Sequence, residues 1–484
     1  MNPEPLARDA VSNSVECAWQ EDVLPALEAF VRLPAVSPGF DRDWRSRGAL
    51  RRAAELACNW VLARGFSGAT AQILEHDAAS PLVVVEVPAF GRNSFEDTVL
   101  FYGHLDKQPW GEGWRDDMAP WSVRRAEGCL FGRGAVDDGY AFFSSLVAVA
   151  ALRRAGGSHA RFIGLFETGE ESGSIGLPGY LERLGRRIGE PTLVVALDAG
   201  AATYEHLWVT VSLRAVVDGT LRVEVLKRPH HCGGASGIVP SSFRVLRRLL
   251  ERLESAETGA LLADFLHVPV PPERRSELAA IAAELGDRVT APYAFVEGAG
   301  PVAADPLELL LNNTWRPTMA VLAQDGLPPL DRKAHLLRTH TALELSFRFP
   351  PGLDVDTAKA KLGELLTSDP PYGARVSVDW TSTCSGWNAP PAAGWLAHAA
   401  EHASRNSFGN SARFIGCGGA IPVVNVLARQ FPGAQFFISG ICGPGANAHG
   451  PDECVVIDAA RKLTCCLAEV LHAHAVAGVT LTGN

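Results

Sequence analysis

The sequence lacks an excess of basic residues: its 484 residues include 44 Lys and Arg against 54 Asp and Glu, a net charge of −10. Proteins that bind nucleic acid by neutralising phosphates normally present a net basic surface, so this balance argues against that class. No run of about 18 apolar residues is free of charge, so we expect no membrane-spanning helix and no membrane partner. The first residues show no basic segment followed by an apolar run, so we expect no signal peptide.

Several catalytic and binding motifs are also missing. The ten cysteines include no C-x-x-C pair, and without an export signal we expect reduced thiols in a cytoplasmic protein. The sequence has no G-x-S-x-G motif, no Gly-rich phosphate loop and no dinucleotide fingerprint. The content of 47% apolar and 20% charged residues is typical of a globular protein. At about 150 residues per domain, the length predicts two or three domains.

Short apolar runs alternate with helical patterns over the first 200 residues. The runs are 81–85, 98–102, 161–166 and 192–197, and the helical patterns cover about 48–64, 139–155 and 176–187. Continuous apolar runs of this length, separated by helices, predict the buried strands of a largely parallel α/β sheet.

The middle of the chain has a different pattern. Apolar and polar residues alternate in 209–214 and 219–225, which predicts strands with one buried face and one solvent-exposed (wet) face. A leucine-striped helix, a strand, a second helix and a further strand follow, near 246–253, 341–348, 355–367 and 374–380. This order predicts a smaller α+β domain with a ferredoxin-like arrangement. We therefore predict an α/β catalytic domain, 1–207 and 389–484, interrupted by an inserted domain, 208–388.

Acidic residues and histidines cluster after the predicted buried strands. The clusters contain His104 and Asp106, then Asp137, then Glu170 and Glu171, then Asp198, and finally His449. Ligands of open α/β sheets bind outside the carboxyl ends of the strands, so we expect these side chains to meet in one pocket. Converging carboxylates repel each other unless a cation neutralises them, and imidazole with carboxylate suits zinc and similar ions. The number of ligands favours two ions sharing a carboxylate, an arrangement suited to hydrolysis.

Five clusters in this order resemble the dinuclear-metal amidohydrolases and peptidases that include carnosinase-type dipeptidases, carboxypeptidase G, aminoacylase and succinyl-diaminopimelate desuccinylase. The similarity extends from Leu33-Pro34-Ala35-Val36-Ser37 to the terminal histidine motif. It implies hydrolysis of a peptide or amide bond in a dipeptide or N-acyl amino acid. It also implies two divalent ions, zinc first, with manganese or cobalt as alternatives. A homodimer, with the inserted domain as lid and dimer contact, is implied as well.

The resemblance assigns a role to each cluster. His104, Asp137 and Asp198 would hold one metal ion, and Asp137, Glu171 and His449 would hold the other. Asp137 would bridge the two ions. In this family the peptide bond between the paired aspartates, here the bond that follows Asp137, is typically cis.

The remaining roles concern proton transfer and substrate binding. Glu170 would be the general base toward a metal-bridging water, and Asp106 would orient the His104 imidazole. In the inserted domain, His231 would steady the oxyanion, reaching into the partner's site in dimeric members, and Arg348 would grip the substrate carboxylate. Simpler interpretations stay open: Asp106 as a turn residue, Arg348 on the wet face of an edge strand, and the neighbouring histidine in place of His231.

One segment departs from the family pattern. Carnosinase-like members usually read Glu-Gly-Gly-Ser/Thr-Ile-Pro, whereas this chain has Cys417-Gly418-Gly419-Ala420-Ile421-Pro422. We place Cys417, Gly418 and Gly419 in the substrate-binding site. If the missing acid pairs with a substrate ammonium, its loss favours N-acylated or uncharged amino-side groups. The alternative function is a metal-binding but non-hydrolytic binding or scaffold protein, and the intact Glu170 argues against it.

Overall fold

The computed structural model of the protein describes residues 6–76, 79–91 and 97–482. The α-helices in this part of the chain are α1 (Arg8–Ala18), α2 (Leu24–Val31), α3 (Trp44–Arg47), α4 (Ala49–Ala63), α5 (Tyr140–Arg154), α6 (Leu177–Ile188), α7 (Cys232–Ala235), α8 (Ser242–Leu250), α9 (Pro272–Leu285), α10 (Pro306–Thr314), α11 (Val355–Thr367), α12 (Gly394–Phe408), α13 (Pro422–Gln430) and α14 (Ile457–Thr482). The strands are β1 (Thr70–His76), β2 (Ala79–Val87), β3 (Thr98–His104), β4 (Arg124–Ala126), β5 (Cys129–Phe131), β6 (Arg161–Glu167), β7 (Pro191–Ala196), β8 (Trp208–Leu213), β9 (Ala215–Glu224), β10 (His230–His231), β11 (Thr318–Asp325), β12 (Leu336–Leu337), β13 (His340–Phe349), β14 (Arg375–Cys384), β15 (Trp387–Asn388), β16 (Arg413–Cys417), β17 (Gln435–Ile438) and β18 (Cys454–Val456).

The chain divides into two compact units. The first comprises Met1–Thr210, Ala389–Phe414 and Val426–Asn484, and the second comprises Val211–Asn388 and Ile415–Asn425. The sequence predicts 389–484 as one catalytic segment, but the structure places Ile415–Asn425 in the second unit. There the backbone N–H of Arg214 donates to the carbonyl of Cys417 at 3.3 Å. The functional labels of the units, catalytic domain and lid, stay predictions.

The first unit contains a six-stranded sheet in the order β1-β2-β6-β3-β7-β17. The strands β6, β3, β7 and β17 are parallel, as the continuous apolar runs predict. Strand β2 differs, because it forms a hairpin with β1 and runs antiparallel to both of its neighbours. Where β3 and β6 end, His104 is paired with Glu167, so the loops after these strands leave the sheet at the same edge.

Helix α5 is buried on nearly all sides in the core of the first unit. It packs against β3, α1 and α14, and the Phe142 ring lies edge-on to Phe166 with centroids 4.7 Å apart. By length and composition alone, Ala135–Arg154 could cross a membrane, but 89% of its apolar window is buried inside the fold. These packing partners explain why the segment is so apolar.

The second unit contains a four-stranded antiparallel sheet in the order β11-β13-β9-β14, with α8 and α11 packed on it. The chain order β9-α8-β11-β13-α11-β14 gives the ferredoxin-like arrangement. Strand β9 alternates buried and half-buried residues, as predicted. The prediction of one wet face for 209–214 is wrong: β8 is buried throughout, because it lies between β15 and β16. The elements α9, α10 and β11 are not predicted from the sequence pattern.

Candidate metal centre

The carboxyl ends of three neighbouring parallel strands supply most of the clustered residues. His104 is the last residue of β3, and a 3₁₀ turn that begins at Glu170 follows β6. Asp198 comes two residues after β7 ends. Because β6, β3 and β7 are adjacent in the sheet, the loops that follow them start side by side, as the strand pattern predicts.

Two groups of side chains have the geometry to hold a metal ion. His104, Asp137 and Asp198 form one group, and Asp137, Glu171 and His449 form the other, with the ligand atoms of each group within 4.8 Å of one another. Asp137 belongs to both groups: its Oδ1 lies 3.1 Å from His104 Nε2, and its Oδ2 lies 2.8 Å from His449 Nε2. Its two carboxylate oxygens therefore face different imidazoles.

The outer members of the two groups are less tightly placed. Asp198 Oδ2 lies 3.8 Å from His104 Nε2, and Glu171 Oε2 lies 3.3 Å from His449 Nε2. The peptide bond from Asp137 to the next aspartate is cis, as the resemblance implies. The structure thus brings together all five predicted ligands, while their roles stay predictions.

The electrostatics of this cluster fit a divalent cation. Burial alone would lower the pKa of His104, but the neighbouring carboxylates raise that pKa well above its usual value. Hydrogen bonds to Asp137 and Glu171 raise the pKa of His449 to about 11, and burial raises the pKa of Asp198 to about 7. Without an ion, the cluster thus neutralises its carboxylates by holding protons on nearby groups. Imidazole nitrogens and carboxylate oxygens are also the donors that zinc and similar ions take, so the residues fit.

Asp106 acts mainly on the backbone of the 3₁₀ turn. Its two carboxylate oxygens accept the backbone N–H groups of Glu170 and Glu171 at 3.1 and 3.0 Å. The His104 Nδ1 atom lies 3.1 Å from the backbone carbonyl of Asp106 and 3.6 Å from its carboxylate. A carbonyl acceptor at Nδ1 leaves Nε2 available as a ligand. That Asp106 orients the His104 imidazole stays a prediction. The hydrogen bonds from Asp106 to the backbone of the turn were not predicted from the sequence.

Several supporting residues were not predicted from the sequence. The Gln108 amide donates to Glu171 Oε2 at 2.7 Å. The buried Lys107 ammonium donates to three carbonyls at the end of α2 and just beyond it, those of Phe30, Val31 and Leu33 at 2.8, 3.1 and 2.9 Å. Both residues directly follow the Gly103–Asp106 cluster, and this position was the only feature of the sequence that could have indicated their supporting role.

A glycine three residues before Asp137 is required by this packing. Gly134 has a φ of +83°, and a Cβ atom there would lie 2.6 Å from Lys107 Cε. Both the left-handed backbone and the close approach exclude a side chain at this position. The loop into Asp137 can therefore lie directly on the buried lysine.

The predicted substrate-binding residues lie in the second unit. Arg214 of the same unit contacts Gly418 and feels the charge of Arg348. The Arg214 Nε atom donates to the carbonyl of Gly418 at 3.1 Å, and burial, together with the charge of Arg348, lowers the pKa of Arg214 to about 10. A Cβ atom on Gly418 would lie 2.7 Å from the amide oxygen of Asn313, so this loop lies close against α10. The Gly419 N–H donates to the Cys417 sulfur at 3.4 Å.

The other two predicted residues of this unit have available polar groups. Arg348 is half-buried in β13, paired with Thr318 on one side and Val216 on the other. His231 is exposed on the two-residue strand β10. Neither side chain forms a hydrogen bond or ion pair with another residue in the part of the chain that the structure describes.

Comparisons with known proteins agree with this geometry. The profile of Peptidase family M20/M25/M40 matches residues 100–473. The cysteinylglycine-S-conjugate dipeptidase of Corynebacterium striatum is 24% identical over 411 residues, covering 83% of this chain and 86% of the relative. The beta-Ala-His dipeptidase of Homo sapiens is 24% identical over 381 residues, covering 74% of this chain and 71% of that protein.

Solved structures agree on the fold. The crystal structure of human carnosine dipeptidase 1 superposes with a TM-score of 0.77 at 20% identity, covering 98% of this chain and all of that one. The family match confirms the predicted resemblance and, with it, the prediction of a hydrolase of the metallopeptidase class. Since the match spans most of the sequence, the chain belongs to Peptidase family M20/M25/M40.

Proposed function

We propose that this peptidase cleaves dipeptides or N-acyl amino acids with two divalent ions held by the five clustered ligands. One observation carries the proposal: the two oxygens of Asp137 face His104 and His449 separately, so a single carboxylate can serve both ligand groups. The mixed imidazole and carboxylate set favours zinc, with manganese or cobalt as alternatives. The names of the relatives, both dipeptidases, support a short peptide substrate.

Glu170 is the proposed general base. Two divalent ions, when bound, polarise the scissile carbonyl and make a water molecule more acidic. Glu170 takes the proton from the attacking water and delivers it to the leaving nitrogen. Its placement supports this role, because Asp106 fixes the Glu170 backbone and the half-buried carboxyl group feels the charges of Asp198 and Glu171.

Arg348 and His231 are proposed to bind the substrate. The guanidinium of Arg348 has no partner in the described parts of the chain, so it is available to form a bidentate pair with a substrate carboxylate. His231, exposed and without a hydrogen bond in the same parts, is available to donate to the developing oxyanion. Because the second unit carries both residues, we propose that it acts as the lid.

The loop Cys417–Gly419 is proposed to favour an uncharged amino-side group. Arg214 brings a positive charge to this loop through its hydrogen bond to the Gly418 carbonyl, and the charge of Arg348 acts on Arg214. Position 417 carries a thiol rather than an acid. A substrate ammonium would find no counter-ion from residue 417 and would be repelled by the two guanidiniums. We therefore propose that N-acyl amino acids are better substrates than free dipeptides.

A second copy of this chain is the proposed partner, bound through the second unit. Strand β11 lies at the edge of its sheet, and residues 320–325 are exposed on both faces. The strand itself exposes Val321 and Leu322, and the second unit also exposes Tyr293, Phe295, Val296, Val302 and Leu330. Apolar residues and unpaired backbone at a sheet edge favour pairing with another chain.

The ten cysteines, all free, support a cytoplasmic location.

Glu170→Gln tests the general base. The amide cannot accept the proton, so we expect kcat to fall about 10²- to 10⁴-fold, with KM and bound metal nearly unchanged. Turnover of a dipeptide and N-acyl amino acid panel is measured by chromatography, with Glu182→Gln, an exposed change on α6, as the control. If metal-loaded wild type and E170Q are equally inert, the chain is a non-hydrolytic binding protein. If E170Q stays active, Glu170 is not the base.

Cys417→Glu tests the substrate preference. The wild type is expected to turn over an N-acetyl amino acid faster than the matching free dipeptide. A new carboxylate would pair with the ammonium, so we expect the dipeptide to gain about tenfold in kcat/KM relative to the N-acetyl compound. Cys417→Gln, of equal size but uncharged, is expected to leave the ratio unchanged. A wild type that clearly prefers the dipeptide contradicts the proposal.

The proposed dimer is tested by sedimentation equilibrium. We expect twice the chain mass of 51.6 kDa for the wild type. Val321→Lys places a charge on the exposed edge strand and is expected to shift the population to monomer. Leu62→Lys, an equally exposed change on α4 of the first unit, is the matched control. A monomeric wild type, or a dimer that V321K does not weaken, rules out this surface.

A further inference from the structure

A buried ion pair lies next to the candidate metal centre without contributing a ligand to it. Arg133 Nη1 and Glu453 Oε2 are 2.8 Å apart, and the two side chains are 1% and 0% exposed. Desolvating two charges costs several kcal/mol, so such pairs contribute little stability compared with apolar packing. The contacts of each partner show what else this pair does.

Glu453 holds the backbone that leads into the bridging aspartate. Its Oε1 accepts the N–H groups of Gly134, Val136 and Asp137 at 3.0, 3.2 and 3.3 Å. Three donors on one carboxylate oxygen fix the course of this loop over four residues. The position of the Asp137 carboxylate therefore depends on Glu453, although the two residues are far apart in sequence.

Arg133 holds the backbone of a ligand in the other loop. Its Nη2 donates to the carbonyl of His449 at 3.0 Å and lies 3.5 Å from the carbonyl of Trp110. His449 has a φ of +63°, in the left-handed region that residues other than glycine rarely adopt. A hydrogen bond to its carbonyl helps to keep the backbone in that conformation, and with it the direction of the imidazole.

We propose that the Arg133–Glu453 pair is a positioning element that fixes the His449 loop relative to the Asp137 loop. Arg133 thereby sets, through His449, the metal affinity of the Asp137, Glu171 and His449 group, whereas Glu453 acts through Asp137, which belongs to both groups. The inference rests on the proposed two-ion centre. It adds two residues that bind neither the ions nor the substrate but act through the ligands.

A purely structural role predicts a different result. If the pair only stabilised the fold, its loss would lower the free energy of unfolding without distinguishing the two ligand groups. The chain offers a matched control in the same unit: Arg161 Nη2 and Glu86 Oε2 form a partly buried pair at 3.0 Å, between β6 and β2. Glu86→Gln removes this pair and the one that Glu86 forms with Arg187, and neither pair involves any of the five ligands.

The test is calorimetric titration of the metal-free protein with zinc, repeated with manganese. The wild type is expected to bind two equivalents. Arg133→Met is expected to weaken one equivalent about 10- to 100-fold and to change the other less than threefold, because Arg133 acts on the His449 loop. Glu453→Gln is expected to weaken both equivalents, because it releases the loop of Asp137, which belongs to both ligand groups. Arg133→Lys keeps the charge but cannot reach both partners. We therefore expect its affinity for the weakened equivalent to lie between those of the wild type and R133M. E86Q is expected to bind both equivalents like the wild type.

A second background shows whether Arg133 acts through His449. His449→Ala is expected to lose the weaker equivalent, and adding R133M to it is expected to leave the remaining equivalent unchanged. The proposal is overturned if R133M weakens both equivalents alike, matches E86Q, or still acts in the H449A background. A wild type that binds fewer than two ions overturns the two-ion centre itself, and this inference with it.

Discussion

The site depends on one electrostatic constraint, which is that carboxylates gathered in a largely buried place need positive charge. Asp137 lies between two imidazoles, and Asp198 and Glu171 approach the same nitrogens from the outer sides. In the protein alone, a proton on His449 supplies part of that charge, because hydrogen bonds to Asp137 and Glu171 raise the pKa of His449 to about 11. A pair of divalent ions would supply it at the same positions. The cost of gathering these acids is therefore also the source of metal affinity.

The fold meets this constraint by combining a rigid sheet edge with loops held by buried polar side chains. Strands β3, β6 and β7 fix where three loops begin. Asp106 then holds the backbone of Glu170 and Glu171, and Glu453 holds the loop into Asp137. Each holding group satisfies backbone donors that would otherwise be buried without partners, so the same hydrogen bonds stabilise the loops and direct the ligands.

Local sequence pattern was sufficient for three central strands of the sheet and for gathering the five predicted ligands, but not for β1, β17 or the antiparallel direction of β2. Continuous apolar runs mark β3, β6 and β7, and the acids that follow them are short-range signals. The wet face predicted for β8 was wrong, because burial there depends on β15 and β16, which are distant in sequence. The contacts of Lys107 and Arg133 also could not be predicted from the sequence, because their partners are distant along the chain. Lys107 binds carbonyls more than 70 residues earlier, and Arg133 pairs with Glu453 at the other end of the chain.

Anomalous X-ray diffraction from crystals grown with zinc can show whether Asp137 serves two ions at once. We expect two anomalous peaks, about 3.5–4 Å apart, with one Asp137 oxygen next to each. One peak should lie beside His104 and the other beside His449. A single peak, or two peaks that do not share Asp137, would rule out the two-ion centre proposed here.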